Sequence, residues 1–405
     1  MGELNNQRPA SYRLLFKWTM GILVGTLLIA LTSPWFVRSY LPLVVDPIRK
    51  TWVLKPGSEY RWRSEGYANS KIGPLGMPGR TQSIPNIAQL GSTESSGEPA
   101  QLVPKLRIAL WGDSQVEGVC VPDTDKLFAV TERLSGGAVE VFPLARSGED
   151  AADWLTQIST VERYLKIDLH VLMVVDLEDL FTAPLAPISP PSNADVSAAN
   201  AAIAARFPAF IIQAARNLLT EGDGATPRKL RFGLGPVGDP VGGVAVTDSA
   251  EVRGDPVFWS DLMRSIRQST AKPIWILDAP VLPLVVGGKI QSDRSHESEY
   301  KQMRAAAMEN HVLVVSAKDA LIREANQGRW PHGFHHGRIG SGHLNPIGNQ
   351  VIAEVLLRAI DDQLEAAKES SSQSFDETSS DLNQLQWIES VKRFEQDNVA
   401  LRELR

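Results

Sequence analysis

The sequence predicts an α/β domain built on a five-stranded parallel sheet, preceded by one membrane-spanning helix. From Lys105 onward, short and nearly continuous apolar runs alternate with helical stretches. Such runs are typical of parallel strands that are buried on both faces by helices. Near the N-terminus, residues 18–37 form a run of 20 residues without a charge. These two observations predict the domain and the separate helix.

The uncharged run at residues 18–37 has the length needed to cross a bilayer. A helix rises about 1.5 Å per residue, so about 20 residues match a hydrocarbon core of about 30 Å. Trp18 and Trp35 stand near its two ends, where an aromatic belt is expected. A cleaved secretory signal is the alternative, but it has a shorter apolar region and ends in a small-x-small site, unlike SPWF. We therefore expect an uncleaved anchor.

The charges around the anchor do not decide its orientation. Three basic residues precede it and three follow it closely, namely Arg8, Arg13 and Lys17, then Arg38, Arg49 and Lys50. Because long domains translocate largely regardless of charge, we take residues 1–17 as cytoplasmic by default. The expected location is then a cell membrane, crossed once, with the main domain extracytoplasmic.

The remaining chain divides by composition. Residues 38–104 are rich in Pro, Gly and Ser and are expected to be a juxtamembrane segment that ends in an exposed linker. The α/β domain is expected at 105–365, with an insertion at about 183–270. Residues 366–405 are expected to form a polar linker and then an amphipathic helix, which binds a protein partner, self-associates or packs on its own domain.

One string in the insertion, GLGPVG, formally matches the dinucleotide fingerprint GxGxxG. That fingerprint must open a helix, and the prolines here prevent one, so the string is interpreted as a glycine-rich loop.

The elements of the α/β domain follow from its apolar runs. Strands are expected at 106–111, 138–142, 169–175, 273–277 and 311–315, and helices near 125–134, 148–165 and 297–310. The last helix is expected from Pro346 to about Lys368, with Asn345 as its N-cap. In such folds ligands bind beyond the carboxyl ends of the strands. Side chains that follow a strand are therefore the candidates for a site.

Ser114 follows the first strand in the stretch Gly112-Asp113-Ser114. It is either the cap of a helix or a nucleophile at the tip of a strand. A nucleophilic hydroxyl needs a base, a group that orients the base, and donors for the developing oxyanion. His343 lies in the loop before the last helix and opens on the same edge of the sheet, which makes it the candidate base.

The other histidines and the composition exclude several kinds of site. His170 and His311 begin strands and are interpreted as structural, and the HGFHH stretch at 332–336 has no spaced carboxylate or cysteine for a metal. The single cysteine, Cys120, excludes an intramolecular disulfide and a cysteine-rich zinc site. A formal net charge of -6 gives no basic footprint for nucleic acid. We expect no metal, no cofactor and no nucleic-acid partner.

Three stretches together resemble the conserved blocks of the SGNH hydrolase superfamily, the GDSL-type esterases. They are Gly112-Asp113-Ser114, the run from Pro143 to Gly148, and GHLNPIG around His343. The resemblance covers about 105–182 and 271–365. It implies a flavodoxin-like three-layer α/β/α fold, with Ser114 as nucleophile and His343 as base. It also implies an oxyanion hole formed by the N–H groups of Ser114 and Gly148.

Four further residues are expected to line this site, namely Asp113, Gln115, Glu178 and Asn345.

The sequence departs from the superfamily pattern at two positions. Glu178 stands where the third block supplies an asparagine; an ionised carboxylate there repels an oxyanion, whereas a protonated one donates to it. The superfamily's aspartate precedes the histidine by two or three residues, where this chain has Ser341 and Gly340. We therefore expect a Ser-His dyad, in which a backbone carbonyl can hold the imidazole Nδ1–H.

The resemblance implies chemistry on esters. Other membrane-anchored members act on acyl groups of cell-surface polysaccharides, so an acylated carbohydrate is the expected substrate. Water as acceptor makes the protein an esterase, and a sugar hydroxyl makes it an O-acyl (acetyl) transferase. The alternative is a catalytically degenerate SGNH-fold ectodomain that binds glycan or acts as a scaffold. In that case Ser114 caps a helix and His343 is bonded to the backbone.

Overall fold

A computed structural model gives the fold of a large part of the chain. It describes residues 10–36, 43–63, 65–81, 105–180, 256–282, 285–286, 289–290, 297–335, 339–340 and 342–372. The expected linker before residue 105, the Ala-rich and glycine-rich parts of the insertion and the C-terminal amphipathic helix lie outside the described residues.

The first element is a long helix, α1 (Ala10–Phe36), which includes most of the predicted anchor. Its stretch Tyr12–Thr32 has a mean hydropathy of 2.0, and none of that stretch is buried against the rest of the protein. A helix that is apolar on all sides and unpacked is stable in an apolar environment. Length and composition are compatible with a membrane span or a signal anchor.

Residues 43–81, within the expected juxtamembrane segment 38–104, contain two small antiparallel sheets. Strands β1 (Leu43–Val45) and β2 (Trp52–Leu54) form one pair, and β3 (Glu59–Arg61) and β4 (Asn69–Lys71) form the other. Leu75 and Met77, further along, are buried in the main core. Apolar side chains from short runs of this segment are thus buried against the α/β domain.

The central sheet has five parallel strands, as predicted. They are β5 (Leu106–Gly112), β6 (Val139–Ala145), β7 (Leu169–Val174), β8 (Ile274–Asp278) and β11 (Leu313–Ser316). Between β8 and β11 in the chain, β9 (Val285–Val286) and β10 (Lys289–Ile290) form a separate antiparallel pair. The order of the five parallel strands across the sheet is β11-β8-β7-β5-β6. This is the flavodoxin-like order, in which the second strand lies on one side of the first and the third strand on the other.

Helices cover both faces of the sheet and complete the predicted three-layer α/β/α fold. They are α2 (Ser114–Glu117), α3 (Leu127–Leu134), α4 (Ala151–Leu165), α5 (Pro256–Gln268), α6 (Glu297–Glu309), α7 (Lys318–Asn326) and α8 (Pro346–Ser372). Along β5, Ile108 and Leu110 pack with α3, α7 and α8, whereas Ala109 and Trp111 pack with α4, α5 and α6. This alternation buries both faces of the strand.

Two predicted boundaries differ from the structure. Helix α5 lies within the range expected as insertion, about 183–270, yet Trp259, Met263 and Ile266 are buried in the core on one face of the sheet. That part of the range therefore belongs to the helical layer. Helix α8 continues four residues beyond Lys368, into the serine run that was expected to be linker.

The end of β5 is shaped by Gly112. A Cβ atom at this position would lie 2.3 Å from Cγ2 of Val116. The glycine therefore lets α2 pack directly against the strand from which it emerges. As a result Ser114 stands at the carboxyl edge of the sheet, next to the point where the connections from β5 and β7 diverge.

Candidate active site

Ser114 is the first residue of α2, and Asp113 is the N-cap. The Asp113 carboxylate accepts a hydrogen bond from the N–H of Gln115 at 2.9 Å. The alternative in which Ser114 caps the helix is therefore wrong. The Ser114 hydroxyl oxygen lies 3.1 Å from Nε2 of His343 and 3.3 Å from Oδ2 of Asp113. The structure thus brings the predicted serine and histidine within hydrogen-bond distance.

The loop that carries His343 is held from both sides. The N–H of Leu344 donates to Oε1 of Gln115 at 2.8 Å, which ties the loop to α2. The N–H of Gly333 donates to the carbonyl of His343 at 2.9 Å. These bonds satisfy both polar groups of the peptide bond that follows His343 and limit where the imidazole can move.

Asn345 fixes the other end of this loop. Its Oδ1 accepts from the N–H groups of Ile347 at 2.9 Å and Gly348 at 3.2 Å, which confirms the predicted N-cap. Its Nδ2 donates to the carbonyls of Trp330 at 2.6 Å and Gly333 at 3.0 Å. One side chain therefore joins the start of α8 to the 330–333 segment behind His343.

A carboxylate that the sequence analysis missed holds the other imidazole nitrogen. Nδ1 of His343 makes a short hydrogen bond with Oε1 of Glu65, in the connection between β3 and β4. The two side chains are only 22% and 17% exposed. The Trp62 ring meets the imidazole edge-on at 6.2 Å. The expectation that no carboxylate contacts the imidazole is thus corrected: a carboxylate from 278 residues upstream of the histidine does so.

The charge of Glu65 controls the titration of His343. Burial lowers the pKa of His343, but the hydrogen bond and charge of Glu65 outweigh it, and Asp113 and Glu117 add to the effect. The pKa of His343 therefore lies above its ordinary value. A carboxylate beside an imidazole stabilises the imidazolium that forms when the base accepts a proton.

One local signal for Glu65 exists beside the histidine. Gly342 has a φ of 91°, and a Cβ there would lie 2.7 Å from Oε2 of Glu65. Glycine at this position leaves the space that the carboxylate fills. The glycine indicates that space is needed at this position, but it does not identify the residue that fills the space. No periodicity or spacing in the sequence relates residue 65 to residue 343.

The predicted oxyanion-hole glycine lies in the turn after β6. Gly148 is exposed and has a φ of 81°. The preceding N–H, that of Ser147, donates to Oε2 of the buried Glu117 in α2 at 3.2 Å. Within the described part of the chain, the N–H groups of Ser114 and Gly148 donate to no protein group. These are the two groups that the superfamily resemblance assigns to the oxyanion hole.

The turn after β7 carries three carboxylates, those of Asp176, Glu178 and Asp179. Glu178 is exposed, and its N–H donates to Asp176 at 3.1 Å. Asp179 accepts from the N–H groups of Val175 and Asp176 at 2.9 and 3.1 Å. Burial raises the pKa of Asp179 to about 6, and the charges of Asp113 and Asp176 add to the shift. Asp179, which was not predicted, is therefore close enough to Asp113 for their charges to interact.

Three other histidines, His170, His332 and His335, differ in burial and in contacts. His170 is buried, accepts from Nε1 of Trp111 at 3.1 Å and contacts Glu162 at 3.3 Å, as expected for a structural residue. His332 is buried, and burial lowers its pKa to about 4. His335 is exposed. Among the described residues, no three His, Cys, Asp or Glu side chains form a group that could hold a metal ion.

Comparison with known proteins adds only distant similarities. No protein-family model and no curated protein matches this chain. Among solved structures it is similar to LAE5, an alpha/beta hydrolase from the metagenome of Lake Arreo, Spain, at 15% identity and a TM-score of 0.36, over 64% of this chain and 97% of that one. It is also similar to a family 3 carbohydrate esterase of Clostridium thermocellum, at 11% identity and a TM-score of 0.33, over 65% and 98%.

A third similar structure is a lipase/acylhydrolase of Enterococcus faecalis, at 11% identity and a TM-score of 0.32, over 64% of this chain and 96% of that one. Similarities this weak give no information on the substrate of this chain.

Proposed function

We propose that this protein is a serine-dependent acyl hydrolase or acyltransferase of SGNH type that acts on esters. The observation that carries the proposal is the continuous chain of contacts from the Ser114 hydroxyl through both nitrogens of His343 to the carboxylate of Glu65. A nucleophile, a base and an orienting acid in this order are the parts that nucleophilic acyl transfer requires. This Ser114–His343–Glu65 set takes the place of the Ser-His dyad expected from sequence.

In the first half of the reaction, Oγ of Ser114 attacks the ester carbonyl while Nε2 of His343 takes the hydroxyl proton. Glu65 stabilises the resulting imidazolium. The carbonyl oxygen becomes an oxyanion and accepts hydrogen bonds from the N–H groups of Ser114 and Gly148. The intermediate collapses, the carbon–oxygen bond to the alcohol breaks, and the imidazolium returns its proton to the leaving alkoxide. An acyl group is then bound to Ser114.

In the second half, His343 takes a proton from an acceptor hydroxyl, whose oxygen attacks the acyl carbonyl. Collapse of the second intermediate breaks the bond to Ser114, and the proton returns to Oγ. Water as acceptor gives a free acid and makes the protein an esterase. An alcohol such as a sugar hydroxyl gives a new ester and makes it a transferase. Both outcomes use the same residues.

Asp113 has two roles in this mechanism. It caps α2 and so fixes Ser114, and its second oxygen, 3.3 Å from Oγ, offers the hydroxyl an alternative acceptor. In the free protein the serine proton has two acceptors within reach. The shorter contact, to His343, is the productive one.

We further propose an acylated carbohydrate as the substrate, on the strength of the resemblance to membrane-anchored members with such substrates. The apolar, unpacked α1 supports an anchored protein. The proposal places the catalytic domain outside the cytoplasm, because long domains translocate largely regardless of flanking charge. Release of acetate from acetylated oligosaccharides, compared with release from simple aryl acetates and long-chain lipid esters, tests the substrate class. A preference for the lipid esters would contradict a carbohydrate substrate.

The activity itself is tested by fluorophosphonate labelling of the full-length chain in detergent. We expect labelling of the wild-type protein and none of Ser114→Ala. His343→Ala is expected to slow labelling by at least a hundredfold, because the hydroxyl then lacks its base. A well-folded wild-type protein that is neither labelled nor active on any acyl donor would instead favour the scaffold or glycan-binding alternative.

A further inference from the structure

We propose that Arg49 is a positioning residue for the oxyanion hole, which it holds in place through the buried carboxylate of Glu149. This inference rests on the proposed function, because the oxyanion hole is part of that function. Arg49 lies in the segment between α1 and the α/β domain. It touches no reacting atom, so its effect is exerted through the turn that carries Gly148.

A tight turn between β1 and β2 presents Arg49 to the domain. Oδ1 of Asp46 accepts from the N–H groups of Ile48 at 2.9 Å and Arg49 at 2.8 Å. The N–H of Lys50 donates to the carbonyl of Asp46 at 2.8 Å. These bonds fix the backbone of residues 46–50, so the arginine side chain leaves the small sheet in a defined direction.

The guanidinium of Arg49 is fully buried, and its contacts are polar. Nη2 donates to the two oxygens of Glu149 at 2.9 and 3.2 Å. Nε donates to Oε1 of Gln157, in α4, at 2.7 Å, and Nη1 donates to the carbonyl of Leu75 at 3.3 Å. An arginine satisfied on three sides in this way can be replaced by no other side chain without loss.

Glu149 connects this cluster to the catalytic turn. It follows Gly148 directly, and its side chain is fully buried, whereas Gly148 is exposed. Its N–H donates to the carbonyl of Arg146 at 3.0 Å, which closes the turn. The next residue, Asp150, is the N-cap of α4. The position of the Glu149 carboxylate therefore determines where the backbone N–H of Gly148 lies relative to Ser114.

Removal of Arg49 would leave Glu149 as a buried charge without its main partner. Burial raises the pKa of Glu149, and the charge of Arg49 opposes that rise. Gln157 contacts Glu149 only at 3.5 Å, and Arg146 approaches it at 3.6 Å from the partly exposed side of the turn. An unpaired buried carboxylate either takes up a proton or moves toward water. Movement toward water carries the Gly148 turn with it.

The other side of the turn is attached to the nucleophile helix. Because Ser147 donates to Glu117 of α2, the two halves of the oxyanion hole are joined on that side. Arg49 supplies the second attachment, from outside the α/β domain. With one attachment lost, the hole stays joined to α2 but its glycine loses its fixed orientation.

The test is the rate and extent of fluorophosphonate labelling of Ser114 in the full-length chain, in detergent, for the wild type and Arg49→Gln. We expect the rate to fall about 10- to 100-fold, because a small displacement of an oxyanion donor is costly. The final extent should equal that of the wild type, since each molecule still holds a complete site. For an ester substrate, kcat should fall by the same factor with KM unchanged.

Arg80→Gln is the matched control. Arg80 lies in the same N-terminal segment and is nearly buried, and it pairs with Glu132 at 2.5 Å and Glu140 at 2.6 Å. Glu140 is near the start of β6, at the end of the sheet opposite to Gly148. Arg80→Gln should lower stability and leave the labelling rate within about threefold of the wild type. Arg49→Lys, which keeps the charge, provides a milder variant and should have an intermediate rate.

The outcomes separate the two proposals. Equal rates in the wild type, Arg49→Gln and Arg49→Lys would overturn the role of Arg49 and leave the proposed function standing. Equal slowing by Arg49→Gln and Arg80→Gln, or a lower extent at an unchanged rate, would show a role in folding only and would also overturn it. Absence of labelling in the wild type would overturn the proposed function and this inference together.

Discussion

At the scale of single residues, the site depends on three side chains that are far apart in sequence. Ser114, His343 and Glu65 are brought together by α2, by the loop before α8 and by the connection between β3 and β4. Each has a well-defined partner. The basicity of the His343 imidazole depends on the carboxylate of Glu65. The pH dependence of the reaction should therefore report on Glu65.

Replacement of Glu65 by Gln should lower kcat about 10²- to 10⁴-fold and move the acidic limb of the pH profile. The base works only as neutral imidazole, so activity rises as pH rises through the pKa of His343. Glu65 raises that pKa, whereas burial lowers it. Without the carboxylate, the limb should move to lower pH.

The measurement is kcat/KM for an activated ester across the pH range, for the wild type, Glu65→Gln and Glu65→Asp. The aspartate variant keeps the charge, so its limb should stay closer to that of the wild type even if its rate is reduced. An acidic limb at the same pH in all three proteins would show that Glu65 does not act on His343.

At the scale of elements, the loop before α8 is the part on which the site depends most. Gln115 holds it from α2, and Asn345 holds it at the helix end and from behind. Gly342 precedes these two attachments in the loop and lies against Glu65. The loop is therefore packed on the side where a larger residue would displace the acid.

Replacement of Gly342 by Ala should lower kcat about 10- to 100-fold, because the new Cβ would push Glu65 away from Nδ1 of His343. Gly340→Ala is the control. Gly340 also has a positive φ, 82°, so both variants cost backbone strain, but its Cβ would meet only the Trp330 ring, at 3.6 Å.

Stability to urea should fall in both glycine variants, whereas steady-state kcat should fall strongly only in Gly342→Ala. Similar losses of kcat in the two variants would indicate backbone strain as the cause and would remove the role assigned to the space beside Glu65.

At the scale of the whole molecule, the α/β domain does not contain a complete site. Residues 43–81 supply Glu65 to the histidine and Arg49 to the turn of Gly148, and Leu75 and Met77 of the same segment are buried in the core. The segment connects the α1 side of the chain with the carboxyl edge of the sheet, so we include it in the proposed catalytic unit.

A chain that begins at residue 43 should be labelled by fluorophosphonate at the rate of the full-length protein, whereas a chain that begins at residue 82 should not be labelled. The first lacks α1 but keeps both attachments. The second loses the orienting acid and exposes apolar core surface. Circular dichroism of both chains shows whether the sheet and helices persist, and labelling of the shorter chain at an undiminished rate would contradict the role of the segment.

Much of the fold could be predicted because its signals are local. Apolar runs of strand length mark β5 to β8 and β11, and Asn345 with Pro346 marks the start of α8. Ser114 and His343 could be selected because each follows a strand or precedes a helix in a recognisable stretch. Helix α5 falls within the range predicted as insertion, because proline- and glycine-rich sequence lies close to it in the chain. No local signal in this stretch indicates that α5 packs against the sheet.

The sequence by itself determined the α/β class, the apolar N-terminal helix and two of the three residues of the proposed catalytic set, since periodicity, caps and strand ends are written in neighbouring residues. Only the tertiary structure decided the source of the acid and the attachment of the oxyanion turn. Glu65 and Arg49 lie in short irregular stretches with no pattern of their own. Their partners are distant in the chain, and such pairings exist only once the N-terminal segment has packed against the sheet.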